Sequence, residues 1–111
     1  MSEIKTAGTQ RYTVPWVDGT LYKTENSSIA DGVSNRAVTL TGLTRITGLE
    51  IANDNSTTGQ DLTVKLNANT NDSIIIKAGE IKSINNFVMT SIYLSNSCGA
   101  TINYRITAYG V

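Results

Sequence analysis

Apolar and polar residues alternate strictly along two stretches of this chain, and that alternation limits the folds it can adopt. In residues 61–67 the apolar positions are Leu62, Val64 and Leu66, and residues 102–108 repeat the pattern. A period of two places such side chains on one face of a β-strand, whereas a helix needs a period of about 3.6. Each stretch therefore predicts a strand with one buried face.

Shorter alternations predict further strands at residues 37–41, 49–51 and 92–94. Between Ile46 and Leu49 the apolar spacing slips to three across Gly48, which predicts a bulge or a bend in that strand. Residues 74–76 are a continuous run of isoleucine. Such a run indicates a central strand covered on both faces or a strand at an interface.

Turn residues separate these runs at the spacing of roughly 8–12 residues that is typical of sandwiches and barrels. Asp18-Gly19 is the strongest hairpin signal and is predicted to join residues 13–17 to residues 20–24. Further turns are expected at Asp31-Gly32, residues 59–61, residues 78–80 and Cys98-Gly99. The Asn-rich stretches 53–55 and 67–71 tolerate left-handed backbone conformations.

Two longer segments share one pattern, in which a strand ending in Asn leads through a polar loop to a second strand. Residues 49–53 lead to residues 62–66, and residues 92–96 lead to residues 102–106. We predict that both are hairpins. The whole pattern predicts an all-β antiparallel sandwich of about eight short strands, Greek-key or jelly-roll-like, with no long helix. Alternation does not encode strand order, so it leaves the choice between a jelly roll and another Greek key open.

The chain of 111 residues has the length of one domain. We assign residues 14–111 to a single sandwich domain and residues 1–13, which lack the alternation, to an extended, flexible N-terminal arm. Trp16 follows Pro15 at the end of this arm, and it either fills the core or anchors in a pocket of a neighbour. The partner-binding residues predicted here are Ile4, Tyr12, Val14, Pro15 and Trp16.

The surface is expected to be polar but poorly charged. Ser, Thr and Asn make up 37 residues, whereas charged residues are 16% of the chain, below the roughly 25% of an average domain. Nine basic residues balance nine acidic ones, so no net field attracts nucleic acid or an anionic membrane. Neutral polar side chains lose less than ions when another protein covers them, and this composition therefore favours assembly.

The chain lacks most of the side chains on which enzymes depend. It contains no His, so a Ser-His-Asp triad is excluded, and Cys98 is its only cysteine. Residues 67–72 superficially match a calcium loop, but Asp72 replaces the required Gly and Ala78 replaces the bidentate Glu. We therefore predict no catalytic, cofactor-binding or metal-binding residues, no cofactor, and no enzymatic activity.

From Thr44 to Val111, the order of features resembles small β-sandwich structural proteins of tailed-bacteriophage virions. The segments that carry the resemblance are residues 48–53, 62–67, 74–80, 91–96 and 102–110. The resemblance implies a head decoration (cement) protein bound to the major capsid protein, or a related collar or tail accessory subunit bound to other virion proteins. It also implies a homo-oligomer, with a trimer favoured.

The expected location follows from the same resemblance and from the N-terminal sequence. Residues 1–5 lack the apolar core of a signal peptide, and no apolar run approaches the roughly 20 residues of a membrane span. We expect synthesis in the host cytoplasm and a final place on the capsid surface of the virion, without nucleic-acid or membrane partners.

A receptor- or carbohydrate-binding knob is the rival hypothesis, because loops and exposed aromatic side chains of sandwiches commonly carry recognition. The available aromatic platforms are Tyr22, Tyr93, Tyr109 and Trp16. Tyr104 falls in a strand phase that predicts burial.

Overall fold

The computed structural model describes residues 20–111 and, ahead of them, the backbone of two short strands. These are β1 (Ile4–Thr6) and β2 (Thr9–Gln10), which pair with each other antiparallel. The remainder of the predicted arm lies outside the described residues. So do the Asp18-Gly19 turn and the first strand of its predicted hairpin.

Eight further strands form two four-stranded sheets in which every pair is antiparallel. The strands are β3 (Leu21–Ile29), β4 (Val33–Ala37), β5 (Ile46–Asn53), β6 (Leu62–Leu66), β7 (Ile74–Ile76), β8 (Ile81–Met89), β9 (Ile92–Asn96) and β10 (Ile102–Gly110). The first sheet has the order β3-β10-β5-β8 and the second has the order β4-β9-β6-β7. Residues 20–111 contain no helix, and the predicted all-β sandwich is confirmed.

The strand order identifies the kind of sandwich. Consecutive strands from β3 through β10 lie in opposite sheets, except β6 and β7, which lie in the same sheet. Two four-stranded sheets linked in this order make a jelly roll, which consists of two Greek keys. The alternative that the sequence left open is therefore decided.

The core lies between the sheets and follows the predicted alternation. On β6 and β10 the buried side chains are the apolar ones at every second position. Tyr104 is 1% exposed, which confirms the burial predicted from its strand phase. The largest fully buried side chains are Ile29, Leu49, Ile51, Leu62, Ile76, Met89, Ile92, Leu94, Ile102, Tyr104 and Ile106.

The two predicted hairpins are wrong. β5 and β6 lie in opposite sheets, and so do β9 and β10, so each connection is an arch that carries the chain from one sheet to the other. β5 instead pairs with β8 and β10, and β9 pairs with β4 and β6. The alternation correctly predicts which face of each strand is buried. It does not specify which strand pairs with which.

Asn53, the last residue of β5, holds the first arch together from inside the protein. Its side chain is 1% exposed. The amide nitrogen donates to the carbonyls of Gln60 (2.8 Å) and Ile76 (3.0 Å), and the amide oxygen accepts from the backbone N–H of Asn55 (3.0 Å). Because Ile76 belongs to β7, this one side chain connects two residues of the loop, Asn55 and Gln60, to the opposite sheet.

Asn96, at the end of β9, repeats this arrangement in the second arch. It is also 1% exposed. Its amide nitrogen donates to the carbonyls of Ile29 (2.9 Å) and Ala100 (2.7 Å), and its oxygen accepts from the N–H of Cys98 (3.0 Å). Ile29 lies in β3 of the opposite sheet, so both arches are closed by the same device.

Three other strand predictions need correction. β4 ends at Ala37, so residues 38–41 are not a strand, and their apolar side chains pack on the core from a loop. β7 is an edge strand with Ile75 39% exposed, so a central strand, the first alternative for residues 74–76, is wrong, and a strand at an interface stays a prediction. β8 was missed because its isoleucines, Ile81 and Ile84, are three residues apart and do not alternate.

The predicted irregularity at Gly48 is confirmed. Against β10, Tyr109 pairs with Gly48 and Gly110 pairs with Ile46, so Thr47 is an extra residue in β5. The chain is very close to itself at this point. A Cβ added at Gly110 would lie 1.9 Å from the carbonyl oxygen of Arg45, which only glycine avoids.

Replacing Asn53 by Ala tests the importance of the arches. The variant leaves two carbonyls and one N–H without a partner at a buried position, and we expect it to lose about 3 kcal/mol of unfolding free energy. Urea unfolding followed by circular dichroism measures the loss. Asn26→Ala, at an exposed position of β3, is the matched control and should change stability by less than about 0.5 kcal/mol. Equal effects of the two changes would contradict a bracing role for Asn53.

Candidate functional site

A polar cluster closes the side of the sandwich where β3 and β4 adjoin. Tyr104 extends from β10 through the core, and its hydroxyl accepts a hydrogen bond from Arg36 Nη2 at 2.6 Å. The same hydroxyl donates to Glu25 Oε2. Arg36 also donates to the carbonyl of Ser28 (3.2 Å), and its guanidinium carbon lies 5.8 Å from the centre of the Tyr104 ring. The cluster thus joins β4 of one sheet to β3 and β10 of the other.

The chemistry of this cluster is that of a brace. Burial, followed by the hydrogen bond to Glu25, raises the pKa of the Tyr104 hydroxyl. The hydroxyl therefore keeps its proton at neutral pH, where it serves as a fixed donor to Glu25 and a fixed acceptor from Arg36. Such a group holds two sheets in register but is poorly suited to proton transfer near pH 7.

Two of the predicted aromatic platforms come together on the outer face of the first sheet. Tyr22 and Tyr109 are cross-strand partners on β3 and β10, and they are 66% and 47% exposed. Their ring centres are 6.3 Å apart with the planes tilted by 42°, which is ordinary aromatic-pair geometry. On the other side of Tyr109 lies Gly48, which adds no side chain. We call Tyr22 and Tyr109 the tyrosine pair.

The outer face of the second sheet is nearly free of charge. Its central strands present alternating, half-buried side chains outward, and Tyr93 lies here, on the other sheet from the tyrosine pair. Lys65 is the single ionic residue among the outward-facing strand residues of this sheet, and its ammonium group donates to the carbonyl of Asn69 at 3.1 Å. Asp61 and Lys77 lie just beyond the ends of β6 and β7. We call this surface the neutral face; it consists of Asn35, Ala37, Thr63, Lys65, Ile75, Tyr93 and Ser95.

The outer face of the first sheet carries an ion pair. Arg105 donates three hydrogen bonds to Asp54, from Nε to Oδ2 at 2.8 Å, from Nη2 to Oδ1 at 2.9 Å and from Nε to Oδ1 at 3.1 Å. The hydrogen bonds from Arg105 hold the pKa of Asp54 below its ordinary value. Glu50 lies on the same face. The two outer faces of the sandwich therefore differ in charge.

A third surface lies along β8, where the strand departs from regular pairing. Ile46 faces Met89 and Gly48 faces Asn85, so β8 has two extra residues at this point. Asn86 adopts a left-handed conformation with φ of 58°. The bulge turns neighbouring apolar side chains outward. We call these exposed residues the β8 rim; they are Ile81 (57% exposed), Phe87 (47%) and Val88 (54%).

The β8 rim adjoins an open groove of about 440 Å³ beside the loop between β6 and β7. Leu66 and Ile74 supply apolar lining together with Phe87, and Thr70, Asn71 and Asp72 supply polar lining. Sequence reasoning missed both the rim and the groove. The signal present in the sequence is Asn85-Asn86, since Asn readily adopts the left-handed conformation that a bulge requires.

The predicted partner-binding residues cannot be placed on these surfaces. Ile4 is described only as backbone of β1, and Tyr12, Val14, Pro15 and Trp16 lie outside the described residues. Within residues 20–111, no three His, Cys, Asp or Glu side chains are grouped so that they could hold a metal ion. The same part of the chain forms no apolar helix of membrane-crossing length.

Comparison with known proteins supports the fold and gives no information on function. No protein-family model and no curated protein sequence matches the chain. Among solved structures, the chain is similar to the solution NMR structure of a de novo designed double-stranded β-helix, with a TM-score of 0.51. The match covers 78% of this chain and 97% of the designed one at 14% identity. At that identity the likeness concerns the fold alone, and it agrees with the two-sheet architecture described above.

Tyr104→Phe tests the polar cluster through pH. The raised pKa of Tyr104 means that its stabilising contribution is complete below the ordinary value of 10.0 and is lost as pH rises through the folded-state pKa. We expect the variant to be less stable than wild type at pH 8 by about 1 kcal/mol, because Arg36 and Glu25 lose a partner. The difference should shrink at pH 11. Urea unfolding at both pH values measures the difference in unfolding free energy between wild type and variant. A difference that is larger at pH 11 than at pH 8 would contradict this role for the hydroxyl.

Proposed function

We propose that this chain is a structural protein of a tailed-phage virion, and specifically a decoration (cement) protein that binds the major capsid protein on the outside of the head. The proposal rests on the resemblance of residues 44–111 to such proteins and on the physical character of the described surface. It includes assembly as a homo-oligomer, with a trimer favoured.

The neutral face is the observation that carries the proposal. A protein that covers a shell must remain soluble before assembly and then lose its hydration over a broad area at low cost. Hydroxyl and amide groups meet both demands because burying them is much less costly than burying ions, provided that they regain hydrogen bonds. Thr63 and Ser95 occupy the centre of this face, directly opposite each other on β6 and β9.

The architecture is compatible with this role. Jelly rolls occur among viral capsid proteins, although they also occur among lectins and cupins, so the fold supports the proposal only by analogy. The two arches and the polar cluster brace the sheets internally through groups of the chain itself. A stable sandwich with a polar, nearly ion-free face is suited to a part that adheres to a shell and performs no reaction.

A positive charge at the centre of the neutral face tests the proposed contact. We expect Thr63→Arg to weaken binding to expanded capsid shells by at least about tenfold, since an unpaired ion would be buried at the interface. Thr107→Arg is the matched control, because Thr107 is also half-buried on a central strand but lies on the outer face of the other sheet. Sedimentation of labelled protein with shells measures the affinity. Equal affinities for the two variants would remove the neutral face from the proposal.

A collar or tail accessory subunit is the nearest alternative within the same class. Copy number in purified particles separates the two roles. A decoration protein covers the shell in hundreds of copies, whereas a collar or tail part is present in a few rings.

A carbohydrate-binding knob is the second candidate, and the tyrosine pair is the observation that favours it. Tyr22 and Tyr109 present adjacent, exposed ring surfaces on a rigid sheet, and the polar residues Thr24 and Thr107 follow in the next row. Aromatic surfaces beside hydrogen-bonding groups are the usual composition of small-ligand sites.

A glycan array tests this second candidate. If the tyrosine pair binds sugars, at least one glycan should bind specifically, and Tyr22→Ala should abolish that binding. Tyr93→Ala, on the opposite face, is the control and should bind normally. An array without specific binding, or a loss shared by both variants, would argue against the tyrosine pair as a sugar site.

A further inference from the structure

The first sheet ends on both sides in a long, exposed strand. β3 and β8 each have nine residues, and most of their side chains are exposed. Among the described strands, β3 pairs only with β10 and β8 pairs only with β5. The hairpin predicted between residues 13–17 and 20–24 would use the same edge of β3, so that hairpin and pairing between copies exclude each other. A free edge presents unpaired N–H and C=O groups, and proteins usually shorten such edges or protect them with charges. β8 has a single charged residue, Lys82.

The directions of the two edge strands are compatible with pairing between copies. All three ladders of the first sheet are antiparallel, so β3 and β8 run in opposite directions. A second copy placed beside the first in the same orientation would bring its β3 next to β8, also antiparallel. The sheet could therefore continue from one copy to the next without changing its pattern.

Register supplies charge complementarity between the two edges. Following the pairs across the sheet, Glu25 faces Ile106, Ile106 faces Ile51, and Ile51 faces Lys82. Glu25 and Lys82 therefore lie at the same level on opposite edges and would meet across a junction between copies. Within one copy Glu25 Oε2 accepts from Tyr104 and Lys82 Nζ lies 3.7 Å from Glu80 Oε2, so the junction would add a second partner to each group. Opposite charges directly across an antiparallel pair stabilise it.

Apolar residues also match at one end of the two edges. Leu21 lies level with Met89, and Tyr22 lies level with Asn85, so both are opposite the segment that contains Phe87 and Val88. Leu21 is 47% exposed and Tyr22 is 66% exposed. The bulge limits regular pairing to residues 81–85 and leaves Val88 54% exposed close to the level of Leu21 of a second copy. Phe87 instead lines the groove beside Leu66 and Ile74.

We propose that β8 of one copy pairs with β3 of a second copy, in antiparallel register with Lys82 opposite Glu25, and that this contact builds a head-to-tail homo-oligomer. The two surfaces in contact are different, so the interface is heterologous and repeats from copy to copy, giving a ring where the rotation between copies closes and an open filament where it does not. The inference rests on the homo-oligomer that the proposed function includes and specifies its contact; because it concerns the chain alone, it can be tested without a capsid and separately from capsid binding.

Engineered cysteines test the register. Thr24 and Ser83 lie on the same level as Thr107 and Glu50, at the two edges of the first sheet. In a Cys98→Ser background, the full chain carrying both Thr24→Cys and Ser83→Cys should form disulfide-linked oligomers under mild oxidation. The matched control carries Thr107→Cys with Ser83→Cys and should not, because Thr107 lies on a central strand. Non-reducing electrophoresis separates the outcomes, and equal crosslinking of both variants would overturn the proposal.

Light scattering after size exclusion provides the second measurement. At about 100 µM, where contacts with micromolar Kd are occupied, the wild-type chain should be oligomeric. Ile81→Lys on β8 should raise the dissociation constant at least about tenfold. Ile75→Lys is the control, since Ile75 is an exposed isoleucine on an edge strand of the other sheet. A monomeric wild-type chain, or equal behaviour of the two variants, would refute edge pairing.

Discussion

The jelly roll depends on carrying the chain between two sheets without leaving buried backbone groups unpaired. At two of the crossings this is achieved by one buried amide each, Asn53 and Asn96, whose side chains bond to loop carbonyls and to a strand of the opposite sheet. An asparagine suits this position because it donates twice and accepts through one short side chain. Once both arches are fixed, β5 and β10 can pair in one sheet while β6 and β9 pair in the other.

The sequence predicts the faces of strands well and their neighbours poorly. The alternation around Val64 and Ile106 correctly indicated which side chains are buried, because burial is a local property with a period of two. Pairing is not local: Ile102 faces Ile29 across more than seventy residues, and nothing in either segment encodes that choice. Loops of an arch and of a hairpin are equally polar, so the two arches were mistaken for hairpins. The sequence does not predict β8, because its isoleucines are three residues apart and its bulge after Asn85 interrupts the regular pairing.

For the candidate surfaces, too, the sequence predicts local chemical character but not position in the fold. The low charge predicted from composition appears in the neutral face, which composition alone could not have located. The predicted tyrosines separate into a buried brace, Tyr104, and an exposed pair, since strand phase decides which rings reach the core. The β8 rim depends on the left-handed conformation of Asn86, a detail that only tertiary structure selects. Of the residues predicted from the arm, the backbone of Ile4 is described in β1 and the others lie outside the described part of the chain.

The position of β10 has a consequence for how the protein is made. This strand lies between β3 and β5 and pairs with both, yet it follows them in the order of synthesis. A nascent chain that has already emerged through β9 therefore lacks the strand that joins β3 to the β5–β8 pair. Productive collapse must wait for β10, and folding dominated by such distant pairings is slow. During that interval the apolar core residues and strand edges are exposed, and molecular chaperones would bind them.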